Sequence, residues 1–398
     1  MFVGITNEPR PYAWGSHTAI AELLGRAPSG GPEAELWLGA HPGSPSRLVD
    51  PAGAGGATDL AEWIAADPVT TLGRFAPGGR LPFLLKLLAA GSPLSLQAHP
   101  TAAQAVAGFR RENLAGVPLD APHRNYKDEY PKPEVIYALS DTFEALCGFR
   151  DLAGSREIVG ELRRRASPPE AAVIDTLLDR IAADDALPGV VAWLSGGGDE
   201  VASLVDVVAS LAAAPGDRFS PEFLTVVDLA AEYPGDPGVV ISLLLNRVSL
   251  RRGEVLYLPA GNIHAYLAGL GVELMAASDN VLRGGLTPKH VDVPELLGVL
   301  ETSPLPVPYL EAERPSPGTS VFRPDVPDFV LVRLDGVAGG AGFELTGPAI
   351  AICTAGSVLL EGATSSTIFR GSAVYITPDE GRITATGAGE VFLATTGI

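Results

Sequence analysis

Between Leu94 and Pro100 apolar and polar residues alternate, with Leu94, Leu96 and Ala98 set against Ser95, Gln97 and His99. A period of two puts the three polar side chains on one face of a β-strand. A polar face turned inward needs a partner, either an ordinary hydrogen-bonded neighbour or a ligand. Just upstream, Leu81 to Leu88 is apolar except for Lys86. Such a run reads as a buried strand, and a lysine inside it must meet an anion or a carboxylate, so Lys86 is a substrate contact or half of a structural ion pair. After His99 an alanine-rich stretch from Thr101 to about Arg111 reads as a helix with Pro100 near its start. The polar loop from Ala121 to Glu134 then leads into a β-run, Val135 to Leu139. Glu134 sits between Pro133 and that run, so its backbone is extended and its carboxylate is rigidly presented, as a ligand or as a solvated strand end.

From about residue 150 to 245 the period changes to that of helices. Ser167-Pro-Pro-Glu170 is a capping box, followed by Val173, Ile174, Leu177, Leu178 and Ile181 on one helical face. Glu200 to Ala213 and Ser220 to Glu232 also read as helices, with breaks at Gly196 to Gly198 and at Pro215-Gly216. β-runs resume at Val239 to Leu250 and lead into Gly253 to His264. There a β-run, Val255 to Leu258, is stopped by Pro259 and turned at Gly261, and a new strand opens on His264. The segment fits the second motif of the cupin family, G-x5-P-x-G-x2-H, although Ala268 stands where an Asn often follows. From about 312 onward short β-runs recur between Gly and Pro, including Ala349 to Val358, Ser372 to Thr377 and Glu390 to Thr395.

The expected fold is therefore mainly β with an α-helical insertion: two cupin-like jelly-roll barrels plus a helical module. Residues 1–149 and 240–311 would build the catalytic barrel, 150–239 the insertion, and 312–398 a smaller C-terminal β-domain without a metal, since the last of the six histidines is His290.

Composition narrows the chemistry. The 398 residues are 46% hydrophobic and 19% charged, which is enough for sizeable cores. A formal charge of -19 argues against nucleic acid and against an anionic membrane surface, and it obliges any anionic substrate to find a local positive pocket. No apolar run reaches membrane-spanning length, and the first residues lack a basic segment followed by a long apolar one. Cys147 and Cys353 have no paired spacing, so a reducing, cytoplasmic setting is expected.

His17 and His41 lack a second ligand-type residue two positions away and read as solvated or hydrogen-bonded. Gly271 to Lys289 carries Glu273, Asp279, Arg283 and Lys289 among glycines, the character of a functional loop. Gln97, His99, Glu134 and His264 are the side chains that can converge on a divalent ion; two imidazoles, a carboxylate and an amide oxygen suit zinc first, then manganese or iron. Two histidines and a carboxylate also suit an iron oxygenase, which stays open at this point.

Several specific segments resemble the type I mannose-6-phosphate isomerase family: AELWLGAHP at 34 to 42, LPFLLKLLAAGSPLSLQAHP at 81 to 100, NYKDEYPKPE at 125 to 134, YLPAGNIHAYLAG at 257 to 269, and VELMAASDNVLRGGLTPKHVDV at 272 to 293. The resemblance implies one zinc ion on Gln97, His99, Glu134 and His264, and an essential arginine at Arg283. It implies interconversion of mannose 6-phosphate and fructose 6-phosphate through a cis-enediol; a monomer is expected, with no nucleic acid or membrane partner. Glu273 or Lys132 is then the candidate proton shuttle, each with a structural alternative. Ser95, Lys86, Lys289 and Tyr266 are candidate substrate contacts. One position departs from the family pattern: relatives commonly carry His before K-P-E, where this chain has Pro131, so no imidazole there can move a proton. A metal-dependent cupin oxygenase and a catalytically silent sugar-phosphate-binding protein are the alternatives.

Overall fold

The computed structural model describes residues 1–214, 216 and 218–397. Pro215, read as a helix break, and Ile398, the end of the expected C-terminal domain, lie outside them. Among the described residues the strands form two nine-stranded sheets whose pairings are antiparallel. Together with the helical segment inserted between two strands of one sheet, Thr142–Phe149 and Leu245–Arg251, this is a mainly β architecture with an α-helical insertion.

The strand His264–Ala276 organises the first sheet. Its first half pairs with the strands Leu96–Ala98 and Thr142–Phe149, and its second half with Phe83–Ala90 and Glu134–Ala138. The two halves meet at a register shift between Tyr266 and Ala268, and Gly269 takes φ +127. A side chain at 269 is excluded twice over: that φ belongs to glycine, and a Cβ would lie 2.8 Å from the Phe143 ring. The extra residue switches the face on which alternate side chains fall. His264 and Tyr266 thereby join Glu273 and Met275 on the inner side.

The helices run Leu152–Arg165, Pro168–Arg180, Leu187–Gly196, Asp199–Ala212 and Ser220–Glu232. Ser167 and Glu170 form the capping box, and Ile174, Leu177 and Ile181 are buried while Val173 and Leu178 pack partly against the same core. That core is shared with Leu96, Leu146 and Phe149 of the sheet, so the helices close one side of the barrel. The earlier helix, Ala102–Leu114, starts from a Thr101–Gln104 capping box, with Pro100 outside it.

Two expectations need correcting. Residues 238–244, read as the return of the barrel, form a short helix and a 3-10 turn, and the strand begins only at Leu245. This segment is apolar and buried on every side, so its sequence carries no period with which to tell helix from strand. The N-terminus also leaves the barrel to which residues 1–149 are assigned: Phe2–Thr6 pairs with Ala373–Ile376, and Arg47–Leu48 pairs with Phe2–Thr6, as the outer strands of the C-terminal sheet.

Candidate metal centre

The turn at Pro259–Gly261 delivers His264 to the first position of the central strand, directly opposite Gln97 in the ladder. Gln97 is in turn opposite Arg283, on the strand Leu282–Gly285. Glu134 opens its own strand between Met275 and Leu258. His99 lies just past the end of Leu96–Ala98. Three segments far apart in sequence thus bring His99, Glu134 and His264 to one interior point.

Each imidazole is oriented by a backbone carbonyl. His99 Nδ1 is 2.8 Å from the Asn280 oxygen and His264 Nδ1 is 3.0 Å from the Asn262 oxygen. A carbonyl only accepts, so each Nδ1 carries the proton and each Nε2 keeps a lone pair. Those two lone pairs face the Glu134 carboxylate, His99 Nε2 at 3.3 Å from Oε1 and His264 Nε2 at 3.3 Å from Oε2. His99 and Glu134 are 1% and 3% exposed, and His99 Nε2 has no hydrogen-bond partner among the described residues. Three acceptors gathered within 4.8 Å of one another without a proton between them are the arrangement a divalent cation satisfies, with the backbone carbonyls as its outer shell. The electrostatics agree. Burial, helped by the Lys132 charge, pulls the His99 imidazole down to about 4, so it is neutral as a ligand must be. Burial would raise the Glu134 carboxyl, but the Lys132 charge, at 2.7 Å, holds it well below the usual carboxylate range.

A second buried cluster stands beside the first. Lys86 Nζ is 2.9 Å from Glu273 and 3.5 Å from Glu35, and the Trp37 indole donates to Glu35 at 2.8 Å. The register explains it, because Trp37, Lys86 and Glu273 lie side by side across three strands. Burial pushes the Glu273 carboxyl up against the pull of Lys86, with the Glu134 and Glu35 charges adding to the rise. Burial alone would pull the Lys86 ammonium down, but Glu273 and Glu35 keep it above its ordinary value. The lysine in the apolar run is therefore one partner of an ion pair.

Lys86 also faces a cleft of about 350 Å³, which it lines with Trp37, Gln97, Lys127, Lys132 and Arg283. Four cations against the two carboxylates Glu35 and Asp279 leave this cleft net positive in an acidic chain, suited to an anion. Arg283 has no carboxylate partner among the described residues, and burial lowers its pKa. Lys289 is exposed on the same side, lowered by its partial burial and then by the charges of Arg283 and Lys127. Tyr266 is buried; its hydroxyl is close enough to feel Glu273 and Glu134, which add to burial in raising its pKa, yet it has no hydrogen-bond partner among the described residues. Ser95 is half-buried, and neither it nor Tyr266 lines the cleft. A larger cavity, of about 740 Å³, lies elsewhere, at the seam with the C-terminal sheet, where Arg252 and Arg333 both pair with Glu390 and no histidine is present.

Glu35, Trp37 and Lys127 line this cleft without having been singled out for a role, and Asp279, noted only as part of a functional loop, lines it too. The clue for the first two is a charged residue and an indole two apart in a run otherwise suited to a buried strand, the same signal that marks Lys86. His41 is a hydrogen-bonded side chain, not a ligand: it accepts from the Gly43 N–H at 3.0 Å and reaches Asp279 at 3.1 Å through its other nitrogen.

A family model described as "Phosphomannose isomerase type I, catalytic domain" matches residues 2–152. The mannose-6-phosphate isomerase of Escherichia coli (strain K12) is 36% identical over 392 residues, covering 97% of each chain. The chain belongs to the type I mannose-6-phosphate isomerase family. The Homo sapiens family member is 31% identical over 415 residues, which cover 93% of this chain and 92% of that one. A zinc-bound holo crystal structure of a mannose 6-phosphate isomerase superposes with a TM-score of 0.88 at 33% identity, over the whole of both chains. Family membership accounts for the cupin fold.

Proposed function

We propose that this chain is a zinc-dependent isomerase that interconverts mannose 6-phosphate and fructose 6-phosphate through a cis-enediol. The observation that carries the reading is the His99–Glu134–His264 cluster, with its lone pairs converging beside a cleft lined by four cations. Gln97, His99, Glu134 and His264 would hold the ion. A divalent zinc ion in that position supplies Lewis acidity toward the oxygens of the sugar.

The remaining work falls to the chain's own side chains. Moving a proton between C2 and C1 needs a group able to take it at neutral pH, and a raised carboxyl at Glu273 suits that role. Lys132 is the second candidate, already in contact with Glu134. With Pro131 in the place of the usual imidazole, the shuttle rests with these two. Arg283, unpaired and permanently charged, stabilises the oxygen on which negative charge develops. Lys86 and Lys289, joined by Lys127, supply positive potential for the phosphate; Ser95 and Tyr266, expected as substrate contacts, lie outside the lining of the cleft and have no contact with the substrate in this reading. The family favours this reading over an oxygenase and over silent binding.

The test is a coupled assay that follows fructose 6-phosphate formed from mannose 6-phosphate before and after chelation. Activity lost on chelation and restored by zinc supports the proposal. Full turnover in protein shown to be stripped of metal overturns it.

A further inference from the structure

The loop Ser278–Asn280 and the loop Lys127–Tyr130 are locked together by a network centred on Asn280, Asp128 and Ser278, side by side with the metal cluster and the cleft. Asn280 is fully buried and every polar atom it owns is used. Its side-chain N–H group donates to the Asp128 carbonyl at 2.9 Å, the Tyr130 carbonyl at 2.9 Å and Asp128 Oδ1 at 3.2 Å. Its side-chain oxygen accepts from the Lys127 N–H at 2.7 Å and the Asp128 N–H at 3.2 Å. Asp128 answers, accepting from the Ser278 hydroxyl at 2.8 Å and the Asp279 N–H at 2.9 Å. The backbone oxygen of the same Asn280 receives the His99 Nδ1 proton at 2.8 Å.

We infer that the Asn280–Asp128 pair is a positioning clamp for the metal centre, an inference that rests on the reading above and deepens it. The carbonyl that selects the His99 tautomer can stay in place only if the residue carrying it is immobile, and the side-chain amide is what immobilises it. On one side of the clamp the chain reaches Lys132 and Glu134 within four residues of Tyr130, and on the other it reaches Arg283 three residues after Asn280. One buried amide thus couples the orientation of a ligand, the delivery of a second ligand and the approach of the unpaired arginine. Only an amide serves, because the site asks one side chain to donate to carbonyls and to accept from N–H groups at once. Aspartate would lose the donors and set a second carboxylate against Asp128.

The test compares the full-length parent with Asn280→Ala and with the milder Ser278→Ala. Zinc affinity is read by competition with a chromogenic chelator, and thermal melting is followed with and without zinc. A positioning role predicts zinc held about 10- to 100-fold more weakly by Asn280→Ala, a smaller loss in the same direction for Ser278→Ala, and a zinc-induced rise in Tm that shrinks in both. Should Asn280→Ala fail to fold, Ser278→Ala decides. Equal zinc affinity in variant and parent, with Tm lowered equally in the presence and absence of metal, overturns the clamp and leaves a merely structural network. A parent that takes up no zinc overturns the metal reading itself, and the clamp with it.

Discussion

Replacing Lys86 by methionine tests the electrostatics of the cleft most directly. Lys86, Glu273 and Glu35 are 6%, 3% and 7% exposed, so the ion pair is largely screened from water. Methionine keeps most of the apolar stem and its packing, which leaves the charge as the main change. Removing one partner of a buried pair costs about 3–5 kcal/mol, because the other charge stays behind. Here two carboxylates stay behind, and the one already raised, Glu273, relieves the strain by taking a proton. A group whose folded pKa lies above its unfolded value adds stability at low pH that is lost as pH rises through the folded value. In Lys86→Met the Glu273 carboxyl moves further up, at about 1.4 kcal/mol per unit. The deficit of the variant should therefore be small near about pH 5 and should reach its full size near about pH 8. Lys86 itself has a raised pKa, so in the parent it stays charged across this window and adds no slope of its own. Urea denaturation of both proteins at the two pH values measures the difference, and Lys86→Met/Glu273→Gln should recover part of it. A deficit below about 1 kcal/mol, or one of the same size at both pH values, would refute the buried-pair account.

Three further outcomes follow from the same geometry. Arg283→Ala should retain its zinc and lower turnover about a hundredfold or more, as for the loss of one oxyanion donor; steady-state kinetics with metal analysis would contradict this if the two fell together. In metal-stripped protein His99, depressed from 6.5 to about 4, binds its proton more readily unfolded, so its contribution to stability should be flat above about pH 6.5 and fall by about 3 kcal/mol toward pH 4. His99→Gln should flatten that slope, and an unchanged slope in a series of denaturation curves would tell against it. Gly269→Ala should lose at least about 1–3 kcal/mol from backbone strain alone, with more from the Phe143 contact; a melting temperature equal to the parent's would show that the central strand does not need its switch of face.

Local pattern carried much of the architecture. The helix Ser220–Glu232, the capping box at Ser167 and the turn that aims His264 all rest on residues within a few positions of one another, and all were legible before any contact was known; the capping box at Thr101 was not among them, although the helix it starts was. His99, Glu134 and His264, which the fold brings together as a group that could hold a metal ion, were legible as candidates for a related reason: a His or Glu set at the mouth of a strand beside Pro or Gly has little freedom in where it points. Residues 238–244 were not legible, because an apolar stretch buried on every face has no period to read. Nor was the pairing of Phe2–Thr6 with Ala373–Ile376, which links the two ends of the chain and leaves no local trace.

What the amino-acid order determined by itself was a set of candidate donors and the local backbone that presents them. The tertiary structure decided which charges face one another. Lys86 was compatible with a substrate or with a salt bridge until the ladder put Glu273 on one side of it and Trp37, with Glu35, on the other. Asn280 looked like any loop polar until burial turned each of its atoms into an obligation. Both outcomes depend on strand register and on exclusion of water, which arise only when distant segments pack.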